Sequence, residues 1–552
     1  MPLWLVEQLK NTTLFGDGNS FGNEENSDYF SILTRGNSDR SPEEERFFNL
    51  PSEYFPIGNT RINAGTLPKS GSWHSFCQGK NSQTHSFCQR KNHRSAIFCQ
   101  GKNSIFLFFA KESAIIYLMR RATIEILREW KEKPGNKPMI INGIRQVGKT
   151  WLMEEFGRTY YQNTAYILFE KNPRIQELFS QDLDVHRILM GLELEIGRKI
   201  EPHNTLIIFD EIQECPNALT SLKYFNENAP EYDIVAAGSL LGVFLHEGAS
   251  FPVGKVEFMN LYPLNFSEFL PAIGEEKLAE LVKSLDWELI KVFKDKLILC
   301  LKMYFYTGGM PEVVREFSKD RDFNLARKIQ NDILNSYQHD FSKHIPAADL
   351  QKVRQLWNSI PVQLSRENKK FIYKDVQKNA TSSAFEFSLG WLESCGLVHK
   401  ISRVSKPALP LKGYANTGAF KLFFCDIGLL CAMTGLEAKT IIDGDAMFTE
   451  FKGALTEQYA CQEMKHFNNA SLAYWTNDSA TAEIDFLLQI KGKIIPIEVK
   501  SSINLKAKSL VIYREKFQSE TEIRTSLANY SQNGSLFDIP LYTLGQLENI
   551  IN

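Results

Sequence analysis

One eight-residue stretch carries the residue types that bind a phosphate chain. It reads Gly143, Ile144, Arg145, Gln146, Val147, Gly148, Lys149 and Thr150. The spacing matches the P-loop pattern, in which glycines let the backbone curl so that its N–H groups point at a triphosphate. The stretch therefore predicts ATP as the bound ligand. Lys149 would lie on the β- and γ-phosphates and the Thr150 hydroxyl on Mg²⁺.

Acidic and hydroxyl side chains follow two later apolar runs. Asp210 and Glu211 come directly after Leu206–Phe209, and Ser239 follows the run that ends at Ala237 and Gly238. Asp210 is predicted to hold Mg²⁺ and Glu211 to orient and deprotonate the attacking water. Ser239 could sense the γ-phosphate, although a glycine and a serine after a strand are equally typical of an ordinary turn.

These side chains need a sheet to bring them together. Short apolar runs at Met139–Ile141, Ala165–Phe169, Leu206–Phe209 and Tyr232–Ala237 alternate with helical stretches. Such alternation predicts an α/β fold with a parallel sheet, whose carboxyl-end edge is where ligands bind.

A second constellation lies near the C-terminus. Residues 482–490 and 493–500 are predicted to form a hairpin that carries Asp485 on one strand and Glu498 and Lys500 on the other. Two carboxylates can bind Mg²⁺ and a lysine can stabilise a phosphate, which is nuclease chemistry. Glu457, on a predicted helix, could complete the site. The alternative is a solvated hairpin face with a cross-strand ion pair.

Composition limits the class of protein. The chain has 552 residues, so several domains are expected, and its net charge of −2 gives no global field for nucleic acid. Nine cysteines without a C-x-x-C pair are typical of a reducing compartment, and the longest apolar stretches are too short to span a membrane. We therefore expect a soluble cytoplasmic protein.

The pattern along the chain predicts five segments. A low-complexity, poorly ordered extension occupies residues 1–118, a P-loop domain 119–270, a helical lid 271–347, a winged-helix region 348–440 and a C-terminal α/β domain 441–552. The extension holds an imperfect repeat around Cys77, Cys88 and Cys99. Its spacing does not match a known zinc pattern, so low complexity is favoured over a metal site.

The winged-helix region has two interpretations. Its predicted third helix, from Thr381 to Cys395, has no lysine or arginine and carries two glutamates, which is unfavourable for reading bases. Basic residues near the wing could contact DNA phosphates, and they are Lys400, Arg403, Lys406 and Lys412. A structural or partner-contacting role is favoured over sequence-specific reading.

Taken together, residues 119–552 resemble prokaryotic AAA-family ATPases that carry a C-terminal endonuclease-like domain of unknown function. The matching stretches are Arg145 and Gln146 inside the P-loop, Asp210–Gln213, Gly238 and Ser239, Pro252–Gly254, Tyr262–Phe269, Asp426–Leu430, Trp475 and Glu483–Lys500. The resemblance implies an ATPase with a winged-helix linker and a restriction-endonuclease-like tail. Lys255 stands where such proteins have an arginine that could act as an intersubunit finger, and lysine lacks the planar fork of arginine.

These observations predict an ATP-hydrolysing protein coupled to a nuclease-like domain that acts on nucleic acid. The alternative is a nucleotide-gated DNA- or protein-binding switch with a degenerate, non-cleaving nuclease fold. Expected partners are ATP with Mg²⁺, DNA through the last two domains, and further copies of the chain.

Overall fold

The fold is described from a computed structural model of the chain. The structure describes residues 121–238, 252, 254–366, 369–443, 452–477, 479, 481–501 and 508–551, together with short strands between residues 54 and 109. The chain divides into two compact units, residues 1–110 and 111–552.

The first unit contains short antiparallel strands. Strand β1 (Tyr54–Ile57) pairs with β2 (Thr60–Asn63), and β5 (Arg94–Gly101) pairs with β3 (Ser86–Phe87), β4 (Arg90–Lys91) and β6 (Ser104–Phe109). The side chains of the cysteine repeat lie outside the described residues.

The second unit begins with a parallel sheet. Its strands are β7 (Met139–Asn142), β8 (Asn163–Leu168), β9 (Thr205–Asp210), β10 (Ile234–Gly238) and β11 (Glu257–Asn260), in the order β11-β7-β10-β9-β8. Every pairing is parallel, and β9 and β10 are buried at each position. The predicted α/β fold with a parallel sheet is confirmed. The continuous apolar runs exist because both faces of these strands are covered.

Helices cover both faces of this sheet. They are α1 (Thr123–Glu132), α2 (Lys149–Tyr160), α3 (Pro173–Gln181), α4 (Val185–Ile196) and α5 (Pro216–Asn228), with a 3₁₀ turn at Ile212–Glu214. Along β9, Ile208 packs into one core with Phe156 of α2, whereas Ile207 and Phe209 pack into another with Phe225 of α5. This alternation follows from the two-residue period of a strand, and each fully buried side chain of this size contributes about 1.5–3 kcal/mol.

A helical region follows the sheet. It consists of α6 (Phe266–Ala272), α7 (Glu276–Ser284), α8 (Trp287–Val292), α9 (Lys294–Thr307), α10 (Pro311–Asp320) and α11 (Phe323–His344). The break between α9 and α10 falls at Gly308–Met310, as the sequence predicts. A side chain at Gly309 is impossible, because its Cβ would lie 2.1 Å from the carbonyl oxygen of Leu264.

Three helices and a hairpin form the next segment. They are α12 (Ala347–Leu364), α13 (Tyr373–Val376), α14 (Ser382–Ser394), β12 (Val398–Val404) and β13 (Ala415–Phe424), with a 3₁₀ turn at Leu411–Tyr414. Helices α15 (Ile427–Met433) and α16 (Ala438–Asp443) follow. The order of helices and strands is the one expected from the sequence.

The C-terminal segment adds a second sheet. It contains α17 (Lys452–Met464), β14 (Ser471–Thr476), β15 (Glu483–Ile490), β16 (Lys493–Val499), α18 (Lys508–Phe517), β17 (Glu522–Ser526), β18 (Ser531–Asn533), β19 (Leu536–Pro540), a 3₁₀ turn at Leu541–Gln546 and α19 (Leu547–Ile550).

This second sheet crosses the domain boundary expected near residue 440. Its order is β13-β12-β14-β15-β16-β17-β19-β18, and β12 pairs in parallel with β14 through Arg403 with Tyr474 and Val404 with Trp475. The two strands expected to flank the wing are therefore the edge of the C-terminal sheet. Within the described residues, no helix combines the length and apolar character needed to cross a membrane.

Candidate functional site

The P-loop lies between β7 and α2. Gln146 and Gly148 adopt left-handed backbone angles, with φ of 66° and 94°, and α2 begins at Lys149. A Cβ on Gly143 would lie 2.6 Å from the carbonyl oxygen of Leu261, so that position accepts only glycine. The strand, loop and helix required by the motif are all present, and the helix N-terminus faces the loop.

Lys149 is folded back over its own loop. Its ammonium donates to the carbonyl oxygens of Gly143 at 2.8 Å and Ile144 at 3.0 Å, and the residue is only 6% exposed. Burial lowers the pKa of Lys149 to about 8, against the opposing effect of Glu211 and Asp210. The side chain is thus held at the loop by two main-chain carbonyl oxygens.

The expected magnesium ligands touch each other. The Thr150 hydroxyl donates to Asp210 Oδ2 at 2.7 Å, although β10 lies between β7, which leads into the P-loop, and β9, which carries Asp210. Tyr166, which the sequence did not single out, also donates to Asp210 Oδ2 at 2.9 Å. A hydroxyl and a buried carboxylate beside a P-loop lysine suit Mg²⁺ with bound phosphates. These residues fit the ion that the motif implies.

Glu211 follows in a strained conformation. Its φ is 51°, which costs a residue other than glycine roughly 1–2 kcal/mol. Gln213 Nε2 donates to Glu211 Oε2 at 2.6 Å and fixes the carboxylate. Strain held by neighbouring contacts is typical of functional positions.

The remaining predicted nucleotide residue, Ser239, lies outside the described residues. The strand that precedes it ends at Gly238, which pairs with Asn142 of β7. Lys255, in the position of the expected finger, pairs with Glu227 of the same chain at 3.0 Å and is 40% exposed.

Helix α11 contacts the P-loop directly. Tyr337 of α11 donates its hydroxyl to the carbonyl oxygen of Arg145 at 3.0 Å. Asp340, one turn further along the helix, pairs with the Arg145 guanidinium at 2.5 Å. Sequence reasoning missed both residues, and their three-residue spacing on one helix face was the sole local signal.

A cavity of about 230 Å³ lies on another side of the loop. It is lined by the ends of β7, β10 and β11, including Gly143 and Gly238, and by Gly396, His399 and Lys465. Burial lowers the pKa of His399 to about 3, so this imidazole is neutral. The carboxyl-end edge of the sheet thus faces residues of the following segments.

The three predicted C-terminal residues come together. The Lys500 ammonium pairs with Glu498 Oε1 at 2.5 Å, and Asp485 Oδ2 accepts from the Val499 amide at 2.8 Å. Both residues of the turn, Lys491 and Gly492, have positive φ, which sets the hairpin register.

Two lysines missing from the sequence prediction join this group. Lys421 of β13 contacts Glu457 at 3.3 Å and Glu483 at 2.5 Å, and Lys369 also bonds to Glu457. Burial raises the pKa of Glu457, but Lys421 and Lys369 outweigh it and bring the pKa down to about 2. Burial raises the pKa of Asp485 well above its usual value, and Glu457 and Glu498 raise it further. Among the described residues, no three or more His, Cys, Asp or Glu are arranged to hold a metal ion.

Comparison with known families matches three segments of the chain. Residues 135–270 match a AAA domain, residues 299–440 match a domain of unknown function (DUF8612), and residues 452–544 match a second domain of unknown function (DUF4143). No curated protein matches the chain.

Solved structures with a similar arrangement are distant. The Walker-type ATPase of Pyrococcus abyssi is 14% identical with a TM-score of 0.34, covering 57% of this chain and 96% of its own. The ORC1 protein of Aeropyrum pernix, solved in complex with DNA, is 12% identical with a TM-score of 0.24, covering 60% and 93%. Cdc6p of Pyrobaculum aerophilum is 10% identical with a TM-score of 0.20, covering 62% and 97%. With its family match, its parallel sheet and its P-loop geometry, the segment 135–270 is a P-loop ATPase domain of the AAA type.

Proposed function

We propose that this protein is a nucleotide-gated switch that binds MgATP, hydrolyses it slowly, and transmits the state of its P-loop to the lid. The observation that carries the proposal is the double contact of Arg145 with α11, through Tyr337 and Asp340. A P-loop residue that is bonded to the lid by main chain and side chain cannot rearrange around a phosphate without affecting that helix.

Each residue of the nucleotide site has a distinct role in this proposal. The P-loop amides and Lys149 bind the β- and γ-phosphates, and Thr150 and Asp210 would hold Mg²⁺. The ion, when bound, neutralises charge on the phosphate oxygens. Glu211 orients a water and accepts its proton as the water attacks the γ-phosphorus, and Gln213 holds the carboxylate in place.

Removing the Lys149 ammonium tests the assignment. Lys149→Ala should abolish ATP binding in a titration with a fluorescent ATP analogue, whereas Lys199→Ala, which changes an exposed lysine of the same domain, should bind normally. ATP turnover by Lys149→Ala at the wild-type rate would refute the proposal.

Nuclease coupling is the second candidate function. The grouping of Asp485, Glu498 and Lys500 supports it, but the Lys421 ammonium lies 3.9 Å from Asp485 Oδ1. Plasmid and single-stranded DNA should be incubated with Mg²⁺ or Mn²⁺ and wild type, Asp485→Ala or Lys500→Ala. The switch predicts no cleavage by any of them, and cleavage that both substitutions remove would establish the nuclease instead.

The switch proposal includes DNA contact through the hairpin of β12 and β13. Two exposed lysines would make this contact. Lys406 and Lys412 are exposed, whereas Arg403 donates to Thr476 at 3.4 Å and Lys400 lies 4.8 Å from the ring of Phe420. Changing Lys406 and Lys412 together to alanine should weaken DNA binding equally for unrelated sequences, because the contacts are to phosphates.

A further inference from the structure

We propose that the C-terminal carboxylate cluster, defined as Glu457, Glu483 and Asp485, takes the ammonium of Lys421 in place of a divalent cation. Lys421 would then act as a permanent internal cation that joins the β13 edge to the C-terminal domain.

The ammonium lies where a metal ion would be expected. Its Nζ is 2.5 Å from Glu483 Oε1, 3.3 Å from Glu457 Oε2 and 3.9 Å from Asp485 Oδ1. These carboxylates come from one helix and one strand, and Lys421 reaches them from β13. A lysine ammonium has three donors and no acceptor, which suits a site lined by carboxylate oxygens.

Lys421 is buried, so its contacts with the cluster are not an ordinary surface ion pair. The Lys421 side chain is 1% exposed, and the ring centroid of Tyr474 lies 5.2 Å from its Nζ. Burying an unpaired ammonium to this degree is strongly unfavourable. The carboxylates of the cluster are therefore what allows a lysine at this position.

Three further carboxylate oxygens are also engaged, whereas Glu498 Oε2 is buried without a hydrogen-bond partner. Lys369 bonds to Glu457 Oε1, Lys500 bonds to Glu498 Oε1, and Asp485 Oδ2 accepts from the Val499 amide. A divalent cation in this space would stand within a few ångströms of an ammonium, and like charges at that distance repel strongly in a buried site. The Mg²⁺ that the endonuclease-like pattern implies for Asp485 and Glu498 therefore does not fit these residues.

The cluster also explains a structural link. Lys421 and Lys369 come from the segment before the C-terminal domain and share Glu457 of α17. Next to them the Phe371 amide donates to the Phe420 carbonyl oxygen at 2.8 Å. Ion pairs thus connect the regions around Lys369 and Lys421 to Glu457 of α17. They lie where the second sheet crosses the domain boundary expected near residue 440.

Manganese titration of the nucleotide-free, full-length protein tests this inference, with bound ion followed by electron paramagnetic resonance. Wild type and Asp485→Asn should show the same Mn²⁺ binding. Lys421→Ala should gain a Mn²⁺ site at least tenfold tighter than any in wild type, and Lys421→Ala combined with Asp485→Asn should lose it. As a control, Lys493→Ala removes an exposed lysine of β16, and this variant should gain no Mn²⁺ site.

Two results would overturn the proposal. One is a wild-type Mn²⁺ site that Asp485→Asn removes, and this comparison does not require a folded Lys421 variant. The other is a folded Lys421→Ala protein, judged by its circular dichroism, that gains no Mn²⁺ site.

Discussion

The hydroxyl of Tyr337 donates to the main-chain carbonyl oxygen of Arg145, so a lid helix holds the P-loop by its backbone. Tyr337 is 2% exposed, and Arg145 also pairs through its side chain with Asp340. Because Tyr337 bonds to the main chain, this contact changes whenever the loop backbone moves. It does so regardless of which side chains bind the ligand. This pair therefore links the P-loop backbone directly to α11.

Deleting that hydroxyl should uncouple the lid from the nucleotide. Tyr337→Phe leaves the ring in place and removes one hydrogen bond, so the free energy of unfolding should fall by about 1–2 kcal/mol. Hydrogen exchange in peptides from α11 should slow when ATP is added to wild type, and this ATP effect should be smaller in Tyr337→Phe.

A matched tyrosine separates coupling from stability. The Tyr306 hydroxyl, also in the lid, donates to the Phe323 carbonyl oxygen at 3.3 Å and does not touch the P-loop. Tyr306→Phe should lose this bond, together with the one that the hydroxyl accepts from Arg327 Nε at 3.3 Å, but keep the ATP effect on α11. Equal ATP effects in wild type and both variants would contradict the coupling.

Glu211→Gln should separate binding from turnover. The amide keeps the size of the side chain but cannot accept a proton from water, so turnover should fall roughly 10²–10⁴-fold while the affinity for ATP changes little. Steady-state phosphate release and nucleotide titration measure the two quantities. Glu214→Gln, in the same 3₁₀ turn, is the control, and a Glu211→Gln variant with unchanged turnover would remove Glu211 from the mechanism.

Lys255→Ala should leave ATP turnover within about twofold of wild type. The ammonium pairs with Glu227 of its own chain, and an exposed pair of this kind contributes at most about 1 kcal/mol to stability. Turnover should be measured over a range of protein concentrations, because a finger acting between copies would make the rate concentration-dependent. A large loss in Lys255→Ala at high concentration would show that the lysine acts in trans.

Local pattern was sufficient for the parts of the site that are close in sequence. The P-loop follows from eight consecutive residues, and the meeting of Asp485 with Glu498 and Lys500 follows from a hairpin whose turn is set by Lys491 and Gly492. In the P-loop and in the hairpin, the geometry is set by backbone angles and by the two-residue alternation of side chains along a strand. Both can be read from the residue types.

Contacts between distant segments could not be predicted in this way. Tyr337 is 192 residues from Arg145, and Lys421 is 36 residues from Glu457. Lys421 interrupts the apolar run Ala419–Phe424, and sequence alone gives such a lysine no partner and would place it facing outward. The pairing of β12 with β14 was also missed, because the period of a strand does not identify its neighbour.

Glu463 of α17 is buried at the contact with the start of the lid. It is 1% exposed, its Oε1 accepts from the Phe266 amide at 2.8 Å, and its Oε2 has no hydrogen-bond partner. Burial, with a smaller contribution from Glu268 and against the opposing effect of the Phe266 amide, raises the pKa of Glu463 to about 8. The carboxyl is thus protonated in the folded protein at neutral pH.

Stability should therefore fall as pH rises from about 4.5, where the unfolded glutamate loses its proton, to about 8, where the folded one does. Over this window the folded state binds more protons, and the loss is at most about 1.4 kcal/mol per pH unit. Glu463→Gln cannot ionise, so its thermal midpoint should exceed that of wild type by an amount that grows from pH 5 to pH 8. Glu437→Gln, at an exposed position, should follow wild type at each pH. A difference between Glu463→Gln and wild type that is the same at pH 5 and pH 8 would show that Glu463 is ionised throughout.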